Sequence, residues 1–229
     1  MRNALNVIDR SRRTAPQIYE YLYEKIISLE IAPNTVLSRA DLQSQFGVSQ
    51  TPVRDALMRL EGDGLVDIFP QHATLVTRIN IRAARQAHFL RLAVELETLA
   101  LIVAKSPDAD IERFKLVMKR QRRALEDEDI NEFADADRAF HRLFYELADV
   151  PDLWSVVRSN GIHIDRLRHL NLPLPGKVNA VLDDHAAIVD ALLARDVEAA
   201  RVALRRHLSG TLGIIDQIRE RFPDYLTDG

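Results

Sequence analysis

The spacing of apolar residues changes near residue 80, and this change divides the sequence into two parts. Before it, three segments with apolar residues at helical intervals lead into two short runs rich in Val, Ile and Thr, which are typical of β-strands. Beyond it the β-type runs stop, and apolar residues recur every three or four positions. The pattern therefore predicts a mainly α protein, with a small mixed part first and an all-helical part second.

Three helices and a hairpin are predicted between residues 14 and 78. SRAD (38–41) has the Ser-x-x-Asp form of a capping box that begins the second helix, and Ser49 can cap the third. LVDIF and TLVTRI flank the turn PQHA and predict the hairpin. This order of elements describes a winged helix-turn-helix domain. Residues 1–13 are polar and rich in Arg, and we expect them to form a flexible N-terminus.

Six helices are predicted for residues 79–229, and short connections between them indicate an antiparallel six-helix bundle. Such a bundle is close to the length at which it can enclose a pocket. The predicted helices span approximately residues 80–105, 107–128, 130–148, 151–170, 176–194 and 196–222.

The composition excludes several classes of protein. The 229 residues include no Cys, which excludes disulfides, thiolate nucleophiles and Cys-held metals. No apolar run reaches the roughly eighteen residues of a membrane span, and the N-terminus does not resemble a secretory signal. We therefore expect a cytoplasmic protein with no membrane partner. Its net charge of -3 means that nucleic-acid binding would need a local basic patch.

The third predicted helix has the position of a recognition helix, whose first residues enter the DNA major groove. Arg pairs with guanine and Gln with adenine, whereas a Thr hydroxyl and the N–H groups of a helix start suit phosphate oxygens. Arg39 is placed to reach the backbone or a neighbouring base, and His72 lies at the predicted wing tip. The alternative is a small helical domain with ordinary surface arginines. The candidate residues on the recognition helix are Ser49, Gln50, Thr51 and Arg54.

The segment FGVSQTPVRDALMRLEGDGLV closely resembles the signature of the GntR family of bacterial transcriptional regulators. The resemblance covers the turn, the recognition helix and the entry to the wing. It implies double-stranded operator DNA as a partner and Arg54 as a residue that contacts bases or phosphates. Gln50 stands where the family usually has Arg, His72-Ala73 where it has Arg-Gly, and Asn34 where it has Gly. The first two departures change the expected operator sequence and not the expected fold.

The segment DADRAFHRLF (135–144) places polar side chains on the apolar side of a predicted helix. Asp137 and His141 lie four residues apart on one face, where burial is costly unless they are paired. His185 and His207 lie on the apolar faces of the fifth and sixth helices. One such His is typical of a protein core. Three helices that each direct a His inward, with an Asp beside one, predict a divalent transition-metal site, with Zn first and Ni or Mn as alternatives.

The blocks DRAFHRLF, DDHAAIVDALLARD and AARVALRRHL resemble the metal-binding motifs of the FCD domain, the effector domain of the FadR subfamily of GntR regulators. Six helices indicate the VanR-like branch. FLRLAVELETLALIVA is similar to the first effector helix of the family, which implies that Arg91 points at the effector, a small carboxylic acid. Alternatively, Arg91 forms an ion pair with Glu95 one turn on. The ligands that this resemblance implies are Asp137, His141, His185 and His207.

These observations predict a transcriptional regulator and not an enzyme. We expect a homodimer that reads two half-sites, with operator binding controlled by a small carboxylate effector at the metal site. One alternative is a metal-dependent hydrolase with an accessory winged-helix domain, because such a site could activate water. Glu95 and Glu97 would be its candidate bases. A third possibility is a structural metal that clamps three helices.

Overall fold

The computed structural model describes residues 8–9, 11–69 and 73–229, which divide into two compact units. The first contains the chain up to Ile81 together with the C-terminal segment Arg221–Gly229, and the second contains Arg82–Glu220. The predicted mainly α fold class is confirmed. The prediction assigned all of residues 79–229 to one domain, whereas in the structure the last nine residues pack with the first unit.

The first unit contains the three predicted helices. The cap of the second helix has the predicted chemistry, since Ser38 Oγ accepts a hydrogen bond from the Asp41 backbone N–H at 3.2 Å. Gly47 ends that helix with a left-handed φ of 64°, a conformation that glycine adopts without strain. The helices are α1 (Thr14–Ile27), α2 (Arg39–Phe46) and α3 (Gln50–Gly62).

A three-stranded antiparallel sheet completes the winged helix-turn-helix. The predicted hairpin pairs Val66 with Val76 and Phe69 with Ala73. A third strand, which was not predicted, pairs with the second strand of this hairpin. Residues 70–72, which include the predicted wing-tip residue His72, lie outside the described part of the chain. The strands are β1 (Val36–Leu37), β2 (Val66–Phe69) and β3 (Ala73–Val76).

The C-terminal segment joins the first unit through a short parallel ladder. Strand β4 (Ile79–Asn80) pairs with β5 (Leu226–Thr227), and both Ile79 and Leu226 are buried. Asn34, which has a left-handed φ of 66°, donates a hydrogen bond from Nδ2 to the backbone oxygen of Asp224 at 2.8 Å. The end of the chain is therefore part of the winged-helix unit.

The second unit contains the six predicted helical segments, three of which are interrupted. The second segment is broken into two helices, the fourth divides at Gly161, and the sixth is interrupted by a 3-10 turn. No helix in the described ranges is both long and apolar enough to cross a membrane. The helices are α4 (Ile81–Lys105), α5 (Asp108–Ile111), α6 (Arg113–Glu126), α7 (Ile130–Leu147), α8 (Asp152–Asn160), α9 (Ile162–Asn171), α10 (Lys177–Leu193), α11 (Val197–Ser209) and α12 (Ile215–Arg221).

An aromatic cluster fixes α7 against its neighbours and so positions the polar residues on its inner face. The ring of Phe114 lies 4.9 Å from that of Phe140 and 5.0 Å from that of Phe144, between centroids. The ring of His185 stacks on Phe140 with centroids 3.7 Å apart. Because these aromatic rings are buried, the polar residues beside them are held in a rigid, largely apolar setting.

Candidate metal centre and DNA-reading helix

The four predicted ligands from α7, α10 and α11 come together in the second unit. Each offers one ligand atom, and these atoms all lie within 4.8 Å of one another. All four residues are at least 92% buried. The helical spacing of Asp137 and His141 placed them on one face, and the fold adds the other two: His185 and His207.

The three imidazoles direct their Nε2 atoms at a common point. His207 Nε2 lies 3.0 Å from His141 Nε2 and 3.3 Å from His185 Nε2. Asp137 Oδ1 approaches His185 Nε2 to 3.6 Å, and Asp137 Oδ2 lies 3.9 Å from His141 Nε2. Four donor atoms of the kind that transition metals bind therefore surround one small volume.

Two of the rings are oriented by oxygen atoms on the far side from that point. His141 Nδ1 lies 2.8 Å from Glu95 Oε2, and His185 Nδ1 lies 2.9 Å from Gln121 Oε1. A carboxylate or amide oxygen accepts a hydrogen bond, so Nδ1 carries the proton in each ring. Both Nε2 atoms then present lone pairs inward. Converging lone pairs repel one another unless a cation or a proton lies between them.

The surroundings keep the imidazoles neutral, which is the form that binds a metal. Burial lowers the pKa of His185 to about 3, and it lowers the pKa of His141 and His207 as well. Within the described part of the chain, Asp137 Oδ1 at the centre has no hydrogen-bond partner. His207 Nδ1 also has none, but it lies on the far side of its ring, 3.8 Å from Asp184 Oδ2.

Asp137 is the anionic member of the cluster, and Arg168 of α9 is its partner. Arg168 Nη2 donates a hydrogen bond to Asp137 Oδ2. Burial alone would raise the pKa of Asp137, but the Arg168 guanidinium and the imidazoles hold it well below its ordinary value. Asp137 is therefore ionised, with Oδ1 unpaired beside His185. Three neutral imidazoles and one carboxylate fit Zn²⁺, Ni²⁺ or Mn²⁺.

Arg91 lies beside this cluster and forms the ion pair with Glu95 that is the alternative to the predicted effector contact. Its Nε donates to Glu95 Oε1 at 2.8 Å. Burial would raise the pKa of Glu95, but Arg91 and His141 lower it to about 2. Arg91 also lines two small cavities of the second unit.

Four of the residues expected to read DNA lie at the start of α3, and their side chains are exposed: Ser49, Gln50, Thr51 and Arg54. Ser49 occupies the N-cap position, but its hydroxyl makes no capping hydrogen bond, contrary to the expectation of a side-chain cap. Gln50 and Thr51 follow it on the exposed first turn. The Arg54 side chain is 59% exposed, and its Nη2 lies 3.5 Å from Asp55 Oδ1. Arg39 is partly buried in the first turn of α2.

Comparisons with known families agree with this arrangement in both units. Residues 14–76 match the bacterial regulatory proteins of the gntR family, and residues 86–210 match the FCD domain. The chain belongs to the GntR family and carries an FCD domain. An uncharacterised HTH-type transcriptional regulator of Streptomyces ambofaciens is 35% identical to this GntR protein, covering 95% of this chain and 92% of its own length.

One further relative and a solved structure agree with this family assignment. The HTH-type transcriptional repressor RspR of Escherichia coli is 29% identical over 93% of both chains. The structure of E. coli McbR/YncC has the same fold, with a TM-score of 0.73 and 23% identity, covering 89% of this chain and 97% of that one. This GntR-family chain is a transcriptional regulator with a DNA-binding unit and an FCD unit.

Three residues around the centre of this GntR protein were not predicted from the sequence as parts of it: Gln121, Arg168 and the orienting carboxylate Glu95. From the sequence, Glu95 is expected only to be a candidate base of the hydrolase alternative or the ion-pair partner of Arg91. In the structure it is engaged by both Arg91 and His141, and Tyr145 Oη lies 3.4 Å from Glu95 Oε1. The hydrolase alternative gains no support, because the relatives are regulators and Glu95, one of its two candidate bases, is already paired.

Proposed function

We propose that this GntR-family regulator holds a divalent transition metal through Asp137, His141, His185 and His207, and that a small carboxylic acid bound there controls its affinity for operator DNA. The observation that carries the proposal is the convergence of the Nε2 atoms at 3.0 and 3.3 Å while two of the Nδ1 atoms face oxygen acceptors. Such a cluster is costly unless a cation lies inside it.

Several side chains of the second unit have distinct roles in the proposed binding of the acid. Glu95 and Gln121 orient two of the imidazoles, and Arg168 holds the carboxylate of Asp137. A metal held by these four protein groups would supply a Lewis-acidic centre for a carboxylate oxygen of the acid. Arg91, which lines the neighbouring cavities, is placed to form a second contact with that carboxylate.

The first unit supplies the DNA contacts. The exposed Gln50, Thr51 and Arg54 lie at the N-terminus of α3, where backbone N–H groups also favour phosphate oxygens. Ser49 and Arg39 flank them, and His72 would follow from the wing. We propose a homodimer, because two recognition helices reading two half-sites give affinity that one helix does not.

Operator binding by purified protein tests both halves of this proposal. The operator is selected from random DNA, and its affinity is measured by fluorescence anisotropy with Zn²⁺ or chelator and with a panel of small carboxylic acids. We expect Arg54→Ala to weaken specific binding by about five- to 150-fold, since an Arg–guanine pair contributes roughly 1–3 kcal/mol. Arg123→Ala, which removes an exposed arginine of α6, is the matched control.

His185→Gln tests the metal half. This variant should bind the operator like the unmodified protein in the absence of acid, but it should purify with little metal and lose its response to acids. Unchanged operator affinity in Arg54→Ala would disprove the role of α3. Elemental analysis that finds no Zn, Ni or Mn, with no thermal shift on metal addition, would disprove the metal site. A metal that only clamps the helices would bind, yet calorimetry would detect no acid.

A further inference from the structure

A cavity beside the metal-ligand candidate His207 has a lining rich in cationic and polar side chains. Of the residues that line it in the described part of the chain, none is an Asp or Glu. His207 and Thr211 both line this cavity, so a metal held by His207 would lie beside it. The polar residues of the lining that matter here are Arg91, Arg168, Asn171, Lys177, His207 and Thr211.

Lys177 supplies a positive charge that has no direct ion-pair partner among the described residues, although the carboxylate of Asp184 acts on it at longer range. Arg91 is paired with Glu95 and Arg168 with Asp137, whereas Lys177 forms no ion pair with any residue of the described ranges. Its Nζ lies over Gly210, only 2.6 Å from the place that a Cβ would occupy there. The absence of a side chain at Gly210 thus lets the ammonium group lie against the end of α11. An anionic group of a ligand would form an ion pair with this half-buried ammonium group.

Asn171 and Thr211 supply a polar pair that is itself incomplete. Both are buried, and Asn171 Nδ2 donates to Thr211 Oγ1 at 3.3 Å. Asn171 Oδ1 has no hydrogen-bond partner among the described residues. If the amide is turned over, the unpaired atom becomes Nδ2, and a hydroxyl group satisfies either atom because it both donates and accepts. The cavity therefore favours a ligand with a hydroxyl group.

We propose that the effector is a hydroxylated dicarboxylic acid, with one carboxylate at the metal and Arg91, its hydroxyl at Asn171 and Thr211, and its second carboxylate at Lys177. The inference rests on the proposed function, which requires only a small acid at the metal. His207 and Thr211 both line the cavity, and for this reason a single acid is proposed to contact the metal and Thr211 together.

Four acids test the contributions of the hydroxyl group and of the second carboxylate separately. Propionate has one carboxylate, lactate adds a hydroxyl, succinate has two carboxylates, and malate combines two carboxylates with a hydroxyl. Each is titrated into the Zn-loaded full-length protein by calorimetry, with both enantiomers of lactate and malate. We expect one malate enantiomer to bind about tenfold or more tightly than lactate, and about tenfold more tightly than succinate, as a charge-assisted and a neutral buried hydrogen bond respectively predict.

Variants assign each preference to its residue. Lys177→Met should remove the preference of malate over lactate and keep that over succinate, with Lys105→Met at the exposed end of α4 as the control. Gly210→Ala should have the same effect as Lys177→Met, because the new Cβ displaces the ammonium group while its charge remains. Thr211→Val, which keeps the shape of the side chain, should remove the preference of malate over succinate only. Asn171→Ala should do likewise, with the exposed Asn160→Ala as its control.

The outcomes distinguish this inference from the function on which it depends. If all four acids bind with equal affinity, the metal-site function stands and the hydroxy-dicarboxylate inference is wrong. If malate is preferred but Lys177→Met and Gly210→Ala leave the preference unchanged, the assignment of the second carboxylate to Lys177 is wrong. If no acid binds the Zn-loaded protein, the proposed function itself fails, and the inference fails with it.

Discussion

Arg168 gives Asp137 a permanent cationic partner in the core of the second unit. The guanidinium donates to Asp137 Oδ2, and its other Nη atom lies 3.9 Å from Asp165 Oδ1. Asp165 in turn accepts a hydrogen bond from Arg158. Asp137 is fully buried, so this network decides how costly its charge is when no metal is bound. Arg168 and the proposed metal ion would therefore compete to neutralise the same carboxylate.

Replacing Arg168 by Met makes this competition measurable. Without metal, we expect Arg168→Met to lower the free energy of unfolding by roughly 3–5 kcal/mol, because a buried charge loses its partner. With Zn²⁺, the stabilisation on metal binding should be larger than in the unmodified protein, since the metal becomes the main cation beside Asp137. Thermal melts with chelator and with Zn²⁺ measure both. Arg113→Met, which breaks an exposed pair with Glu146, is the control. A smaller metal-induced shift in Arg168→Met would show instead that Arg168 orients Asp137 for the metal.

The ligand candidates could be predicted from the sequence, but the groups that orient them could not. Asp137 and His141 share a face within one helix, which spacing alone reveals. The contacts of His141 with Glu95 and of His185 with Gln121 join residues 46 and 64 positions apart. Helical periodicity shows which face of a helix is apolar, but not which neighbouring helix meets it. The effector and DNA roles of Arg91 and Arg54 stay predictions.

Among the elements, length decided which ones could be predicted. The helices and the β2–β3 hairpin have enough residues to show a period of 3.6 or 2. β1, β4 and β5 have two residues each, too few to show any period, and their pairing depends on contacts with distant parts of the chain. The ends of α8 and α9 at Gly161 were also missed, because the apolar spacing continues across the break.

The β4–β5 ladder should contribute to the stability of the first unit although it is short. We expect Leu226→Ala to lower the free energy of unfolding of that unit by roughly 2–5 kcal/mol, because Leu226 is 3% exposed and its loss leaves a cavity beside Ile79. Leu116→Ala, at a side chain that is 68% exposed, is the matched control and should cost less than about 0.5 kcal/mol.

The single Trp of the chain allows this destabilisation to be located. Trp154 belongs to the second unit, so its fluorescence reports the unfolding of that unit, whereas circular dichroism reports helices of both. In Leu226→Ala, part of the dichroism signal should be lost at lower urea, while the midpoint of the fluorescence transition stays in place. Equal shifts of both signals would show that the last segment stabilises the whole chain as one cooperative unit.

At the scale of the whole molecule, the net charge of -3 and a protein that binds DNA are compatible because operator contacts depend on local groups. We propose that the exposed start of α3, with Arg54, supplies such local groups without an overall basic composition. If acid and operator affinities are coupled as proposed, the coupling is reciprocal: operator DNA must change the affinity for the acid by the same factor as the acid changes the affinity for DNA.

The histidines of the described ranges give the whole molecule a common response to pH. The pKa of each is lowered, with burial as the main cause, and it falls to about 4 for His163 and His169, which are not ligand candidates. The unfolded chain therefore binds protons near pH 6.5 that the folded chain binds only at lower pH. Folding is then weakened as the pH falls, and each such histidine contributes up to about 1.4 kcal/mol per pH unit.

We predict that the metal-free protein loses stability steadily between pH 6.5 and 5, as measured by urea unfolding in the presence of chelator. The buried carboxylates with lowered pKa values, such as Asp137 and Glu95, act in the same direction but only near pH 4 and below, so this window isolates the histidines. Replacing both His163 and His169 by Gln should reduce the slope while leaving the ligand candidates intact. A free energy of unfolding that is constant or rises from pH 6.5 to pH 5 would contradict the burial of neutral imidazoles on which the metal centre depends.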